Sequence, residues 1–291
     1  MTPVQSTHFT DPGCPWAYSA SPDLAALHWR YGDQLQWRLV TIGLAERAEQ
    51  YEERGYTPGA SAQGRTKFRR FGMPLSPTVR PRLMGTARGC RAIVATRRLF
   101  PEREYAVFRA LQFTYFTTGE LMDTVEGIRV ALATVPDLDV EAVVEAHDSD
   151  EVREAYEADR AEARTAAGTP TEAQGKSATT DGPVRYTAPS VVFRLGERCL
   201  EAGGFQSLEA YDVCLANLDV SLERRSPAET AAEALSAFPY GLTTQEVTAV
   251  MTPDLAPRDR RATELALLAA QADGDVDRRP LGDDALWTLR H

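Results

Sequence analysis

Cysteine is scarce in this sequence. The 291 residues hold four, Cys14, Cys90, Cys199 and Cys214, too few for a disulfide-built scaffold, and no two share C-x-x-C spacing. His8, His28, His147 and His291 form no H-x-x-x-H pair, so no metal site is expected. Lysine is nearly absent: Lys67 and Lys176 are the only two among 32 basic residues, an arginine bias that a GC-rich genome explains. No apolar run approaches the ~20 residues of a membrane-spanning helix. The opening Met-Thr-Pro-Val-Gln-Ser-Thr-His lacks the basic residue and apolar core of a secretory signal. The chain thus reads as a cytoplasmic soluble protein. Positive charge is in deficit too, and a net charge of −10 argues against nucleic acid or anionic membranes as partners. What remains is a globular balance, 43% hydrophobic and 25% charged, with length enough for about two domains.

Residues 4–9 read as a strand ended by Thr10-Asp11-Pro12-Gly13. A helix is predicted from Cys14 or Pro15 to Tyr31, kinked at Pro22 and closed by Gly32. Leu35–Thr41 alternates like a second strand, completing a βαβ unit. Residues 43–82 are Gly-, Pro- and Arg-rich and show no period. From Leu83 to Gly168 the pattern is helical, followed by a small-residue loop to Pro183. Ser190–Leu195 and Cys199–Ala202 then form a hairpin, and Ser207 caps a helix to about Leu218. The order βαβ, helical block, ββα is that of an α/β thioredoxin fold interrupted by a helical insertion. The expected division is 1–82 with 184–222 as the thioredoxin-like domain and 83–183 as the insertion. Helices at 228–237, 243–251 and 258–272 and a hairpin at 274–289 make 227–291 a small C-terminal winged-helix-like module. It carries 11 acidic residues against six arginines, which favours packing, dimerisation or a lid role over DNA binding. A homodimer is compatible with this.

Chemistry concentrates where the first strand turns into the first helix. A thiol at Cys14 would meet free backbone N–H groups and the positive end of the helix dipole, which favour the thiolate and can bring a cysteine pKa to roughly 3.5–7.5. Cys90, Cys199 and Cys214 are expected in the core.

Phe9-Thr10-Asp11-Pro12-Gly13-Cys14-Pro15-Trp16-Ala17-Tyr18 resembles the active-site segment of the DsbA-like thioredoxin-fold proteins, in particular their FrnE-like branch, which carry D-P-x-C-P-W-C-Y. Tyr186–Phe193 resembles the family's cis-proline segment, and Gly203-Gly204-Phe205-Gln206 the turn into its last helix. The likeness covers about residues 4–222. It implies Cys14 as the catalytic sulfur, thiol or substrate contacts from Asp11, Pro15, Trp16, Tyr18, Ala188 and Pro189, and a cis Ala188–Pro189 bond beside Cys14. One departure is decisive: Ala17 stands where the family has its resolving cysteine. An ordinary dithiol cycle is therefore impossible within the motif. A monothiol oxidoreductase resolved by an outside thiol of the glutathione or mycothiol type, with no tightly bound cofactor, is one reading. The segment also resembles the S-P-Y-A-Y of kappa-class glutathione transferases and 2-hydroxychromene-2-carboxylate isomerases, which implies a thiol-dependent transferase or isomerase. A binding protein that kept the fold without turnover is the third. Trp16, Phe68, Phe71, Phe113, Tyr115 and Phe116 are expected to frame the site.

Overall fold

The computed structural model describes residues 2–180 and 182–290, so His291 and residues 1 and 181 lie outside it. In chain order the elements are β1 (Val4–Thr10), α1 (Pro15–Ser19), α2 (Ser21–Tyr31), β2 (Leu35–Thr41), α3 (Glu49–Glu52), α4 (Pro58–Thr66), α5 (Ala87–Leu99), α6 (Glu104–Thr117), α7 (Val125–Leu132), α8 (Val140–Ala146), α9 (Asp150–Ala163) and α10 (Pro170–Ala173). They continue as β3 (Ser177–Ala178), β4 (Arg185–Tyr186), β5 (Ser190–Leu195), β6 (Arg198–Ala202), α11 (Leu208–Leu218), α12 (Ala231–Ser236), β7 (Leu242–Thr243), α13 (Thr244–Met251), α14 (Arg260–Asp273), β8 (Val276–Leu281) and β9 (Asp284–Leu289). Among the described residues no helix is long and apolar enough to cross a membrane.

The central sheet runs β2-β1-β5-β6, with β1 parallel to β2 and antiparallel to β5. The N-terminal βαβ unit and the β5–β6 hairpin therefore share one sheet. As a central strand β1 is buried on both faces, Val4 and Ser6 to Thr10 alike, which is why its sequence shows little alternation. The first helix breaks two residues before Pro22, at Ala20, where φ is −81° and ψ −11°. Pro22 has no N–H to return to the Tyr18 carbonyl, so α1 and α2 are separate segments.

Helix α2 is apolar nearly all round, and the packing explains it. Leu24, Leu27 and Tyr31 meet Val191, Phe193, Tyr211 and Leu215 under the sheet. On its other side Ala25 and Trp29 enter a second cluster with Ala234, Leu235, Val247, Leu267 and Trp287 of the C-terminal region. That region adds a short strand the sequence did not signal: β7 pairs with β9, giving a sheet of order β7-β9-β8.

Helices α5 to α9 form their own core around Ile93, Leu111, Ile128 and Leu132. They are pinned to the sheet by Asp159 of α9, which accepts from the Thr41 N–H (2.8 Å) and hydroxyl (2.9 Å). The expected helical start at Leu83 moves to Ala87. Gly85 is pressed against the chain at 45–46, where an added Cβ would lie 2.7 Å from the Glu46 carbonyl oxygen, and so close a crossing leaves no room for a helical turn.

Candidate functional site

Strand β1 delivers the chain to the turn Asp11-Pro12-Gly13, and Cys14 follows as the N-cap of α1 with extended backbone (φ −82°, ψ 117°). Its carbonyl accepts the Tyr18 N–H (3.0 Å), and Pro15 fills the first helical position, where a missing N–H is harmless. The thiol caps nothing. It turns toward the strand side and donates to the Ala188 carbonyl (3.1 Å). The Ala188–Pro189 bond is cis, and both residues are buried beside the sulfur's cluster with Phe9, Ala17, Tyr186 and Val192.

Asp11 fixes the turn instead of facing a ligand. One carboxylate oxygen accepts from Gly13 N–H (2.8 Å). The other accepts from Leu44 N–H (2.9 Å), the Thr86 hydroxyl (2.8 Å) and, more weakly, the Cys90 thiol (3.6 Å). It is fully buried, and burial raises its pKa against the pull of those hydrogen bonds. The carboxylate thus ties the Cys14 turn to the segments at 44 and 86. Gly13 fits under Thr86, whose methyl would lie 2.6 Å from an added Cβ.

Tyr18 also departs from expectation. It lies flat on Phe116 (4.4 Å, 9° between planes) and donates to the Pro74 carbonyl (2.8 Å), in a core patch with Met73 and Leu75. Phe113 is buried in the same patch. Trp16 is the exposed member of the motif, 41% accessible, and packs edge-on against Phe68, Phe71 and Phe205 at 5.1–5.8 Å.

The thiol is not the activated sulfur that its position suggested. Only 6% of Cys14 is accessible. Burial pushes its pKa up to about 12, and the Asp11 carboxylate adds to this, while the Ala17 and Trp16 N–H groups and Arg185 pull the other way. The helix start supplies the expected donors, but desolvation outweighs them. None of the four cysteines is in a disulfide. Cys90 is buried as expected; Cys199 is exposed instead, because β6 is an edge strand whose first residues face solvent, and Cys214 is half-buried. Among the described residues no cluster of three His, Cys, Asp or Glu could hold a metal ion.

A direct consequence is an order of alkylation. Iodoacetamide at pH 7 is expected to modify Cys199 first and Cys14 much more slowly. The Cys14 rate should climb about tenfold per pH unit without levelling off by pH 9, because the thiolate fraction does so below a pKa near 12. Peptide mass mapping over time would read both, and a plateau of the Cys14 rate near neutral pH would contradict the buried, protonated thiol.

Beside the turn lies a cavity of about 440 Å³. Gly13, Pro15 and Trp16 form one wall, and Tyr51, Tyr56, Phe68, Tyr115 and Phe116 supply aromatic surface. Arg65, Lys67, Arg80 and Arg82 line it as well, and among the described residues no acidic side chain does. Tyr51, Tyr56, Arg80 and Arg82 were not singled out from the sequence, since the irregular stretch 43–82 has no period to read. Its arginine and aromatic content was the only signal.

No protein-family model matches the chain, and no curated protein matches it. Solved structures do. The "putative protein disulfide isomerase" of Nitrosomonas europaea overlays with a TM-score of 0.56 at 16% identity, covering 74% of this chain and 97% of its own. A "probable DsbA oxidoreductase" of Streptomyces coelicolor overlays with a TM-score of 0.55 at 16% identity, covering 78% and 93%. The fold is the DsbA-like thioredoxin fold with a helical insertion.

Proposed function

We propose that the protein is a thiol–disulfide oxidoreductase of the FrnE-like kind that works with one sulfur, Cys14, and an outside low-molecular-weight thiol of the glutathione or mycothiol type. The observation that carries the reading is the Cys14 sulfur at the start of α1, 3.1 Å from the Ala188 carbonyl and backed by a residue without sulfur at position 17. In the first step the Cys14 thiolate attacks one sulfur of a disulfide R–S–S–R. A new S–S bond joins Cys14 to the attacked sulfur, the original S–S bond of the disulfide breaks, and the leaving thiolate R–S⁻ takes up the proton that Cys14 released. A second thiol then attacks the mixed disulfide, regenerates Cys14 and leaves as R–S–S–R′. Ala17 cannot take this role, so the outside thiol is obligatory. The C-terminal region serves as a packing element, and its acidic charge makes a nucleic-acid partner unfavourable.

The raised pKa favours a second reading in which Cys14 stays protonated and its S–H polarises a bound thiol, as in the kappa-type transferases and isomerases. Cys14→Ser separates the two. It should abolish thiol-driven reduction of a small disulfide in the first case. A thiol-dependent conjugation or isomerisation should survive in the second, since a hydroxyl also donates. Full disulfide reduction by Cys14→Ser would exclude the monothiol cycle.

A further inference from the structure

We propose that the cavity beside Cys14 is an acid-binding site, in which Arg65 and Arg80 hold the carboxylate of a small molecule whose apolar body lies on the aromatic walls. The inference rests on the reading that this cavity seats the co-reactant of Cys14, and names its chemistry. Both arginines are buried, with 7% and 6% of their surface accessible. Neither is ion-paired among the described residues. Arg65 donates to the Thr78 carbonyl (2.7 Å), and Arg80 to the carbonyls of Glu120 (3.0 Å), Thr118 (3.2 Å) and Tyr115. The two guanidinium groups also share one ring, lying 5.6 and 4.4 Å from the centroid of Tyr115.

A buried cation satisfied only by neutral carbonyls carries a desolvation penalty that a counter-charge would relieve. In this chain, with 42 acidic residues, two further buried arginines, Arg30 and Arg109, each have such a partner. Arg82, on the same cavity, is matched by Asp123. The side chains facing Arg80 are Tyr115, Arg65 and the exposed Glu120, and burial lowers its pKa to about 10, which leaves it charged at neutral pH. Two unmatched forks at a cavity with no acidic wall among the described residues fit a carboxylate, which guanidinium binds through paired hydrogen bonds. The cavity's ~440 Å³ is within the range of small-molecule sites, and Tyr51, Tyr56, Phe68 and Trp16 offer flat apolar surface.

The carboxylate can come from an acidic thiol or from a non-thiol aromatic acid, and two probes tell these apart. Calorimetric titration of the full chain carrying Cys14→Ser with glutathione and with 2-naphthoate reads binding without thiol exchange. At least one is expected to bind, the identity of the binder naming the source. Its neutral counterpart, glutathione diethyl ester or 2-naphthamide, should bind at least tenfold more weakly. Arg65→Gln should cause a loss of roughly 10–100-fold, the size of a hydrogen bond to a charged group, and Arg65→Lys a smaller one. Should Arg65→Gln fail to fold, the acid–neutral comparison decides alone. Binding of neither acid below millimolar concentration, equal binding of acid and neutral form, or an unchanged affinity in folded Arg65→Gln would overturn the proposal. Because the titration uses Cys14→Ser, its failure leaves the sulfur chemistry to be judged separately.

Discussion

Arg109→Met is expected to destabilise the protein by about 3–5 kcal/mol, the largest effect of any single substitution considered. Arg109 on α6 and Glu246 on α13 form a bidentate ion pair whose side chains are 4% and 0% accessible. The guanidinium also lies over Phe113 (4.8 Å) and Tyr240 (5.2 Å), so methionine keeps part of the packing but none of the charge. The carboxylate left behind is no ordinary surface group: it accepts the Thr243 N–H (2.8 Å) and completes the capping box that starts α13. Stranding it uncharges or desolvates the group that begins that helix. At roughly 2–4 °C per kcal/mol for a chain of this size, Tm should fall by on the order of 10 °C. Arg109→Met combined with Glu246→Gln should recover much of the loss, since the amide oxygen still caps without a buried charge. The melt is expected to remain a single transition, because Trp29 and Trp287 share one core across the two regions. A loss under 1 kcal/mol in denaturant titration would mean that the pair is solvated.

Ala17→Cys is expected to convert a persistent mixed disulfide on Cys14 into a self-releasing one. The new thiol is carried by the residue whose backbone N–H already faces the Cys14 sulfur, and it attacks that sulfur within the same molecule. Release without outside thiol should accelerate by on the order of 100-fold or more over the parent. Ala17 is buried among Phe9, Val40 and Val192, so the added sulfur should cost about 1–2 kcal/mol by overpacking. The check is the decay of a purified adduct after removal of free thiol. An adduct as stable in Ala17→Cys as in the parent would show that position 17 cannot reach the sulfur.

How much of this was legible in the sequence depended on local signals. The strand–turn–helix at 4–31 could be read because Pro and Gly punctuate it, and the 190–202 hairpin because the apolar run Val191-Val192-Phe193 is followed closely by a Gly196 turn. The cis Ala188–Pro189 bond beside Cys14 came from resemblance, not from pattern. The stretch 43–82 has neither period nor caps at regular spacing, so the cavity it walls was invisible, and with it the pairing of Arg65 and Arg80 on Tyr115. Tyr18 misled for a geometric reason: it follows Cys14 by four residues, but Cys14 is an extended cap, and helical spacing begins only at Pro15. The pKa of Cys14 misled for an energetic one. A motif fixes the neighbouring N–H groups, whereas much of the covering surface comes from Tyr186, Ala188 and Val192, distant in sequence.

Exchange of Cys14, alone, with a disulfide is the step on which the proposed function turns. Its most direct test is intact-mass analysis of protein carrying Cys199→Ser and Cys214→Ser, incubated with oxidised glutathione at pH 8. One glutathione should add per chain, mapped to Cys14, stable after removal of free reagent and lost on adding Cys14→Ser. No adduct on the folded protein, under conditions where the unfolded chain reacts, would contradict it.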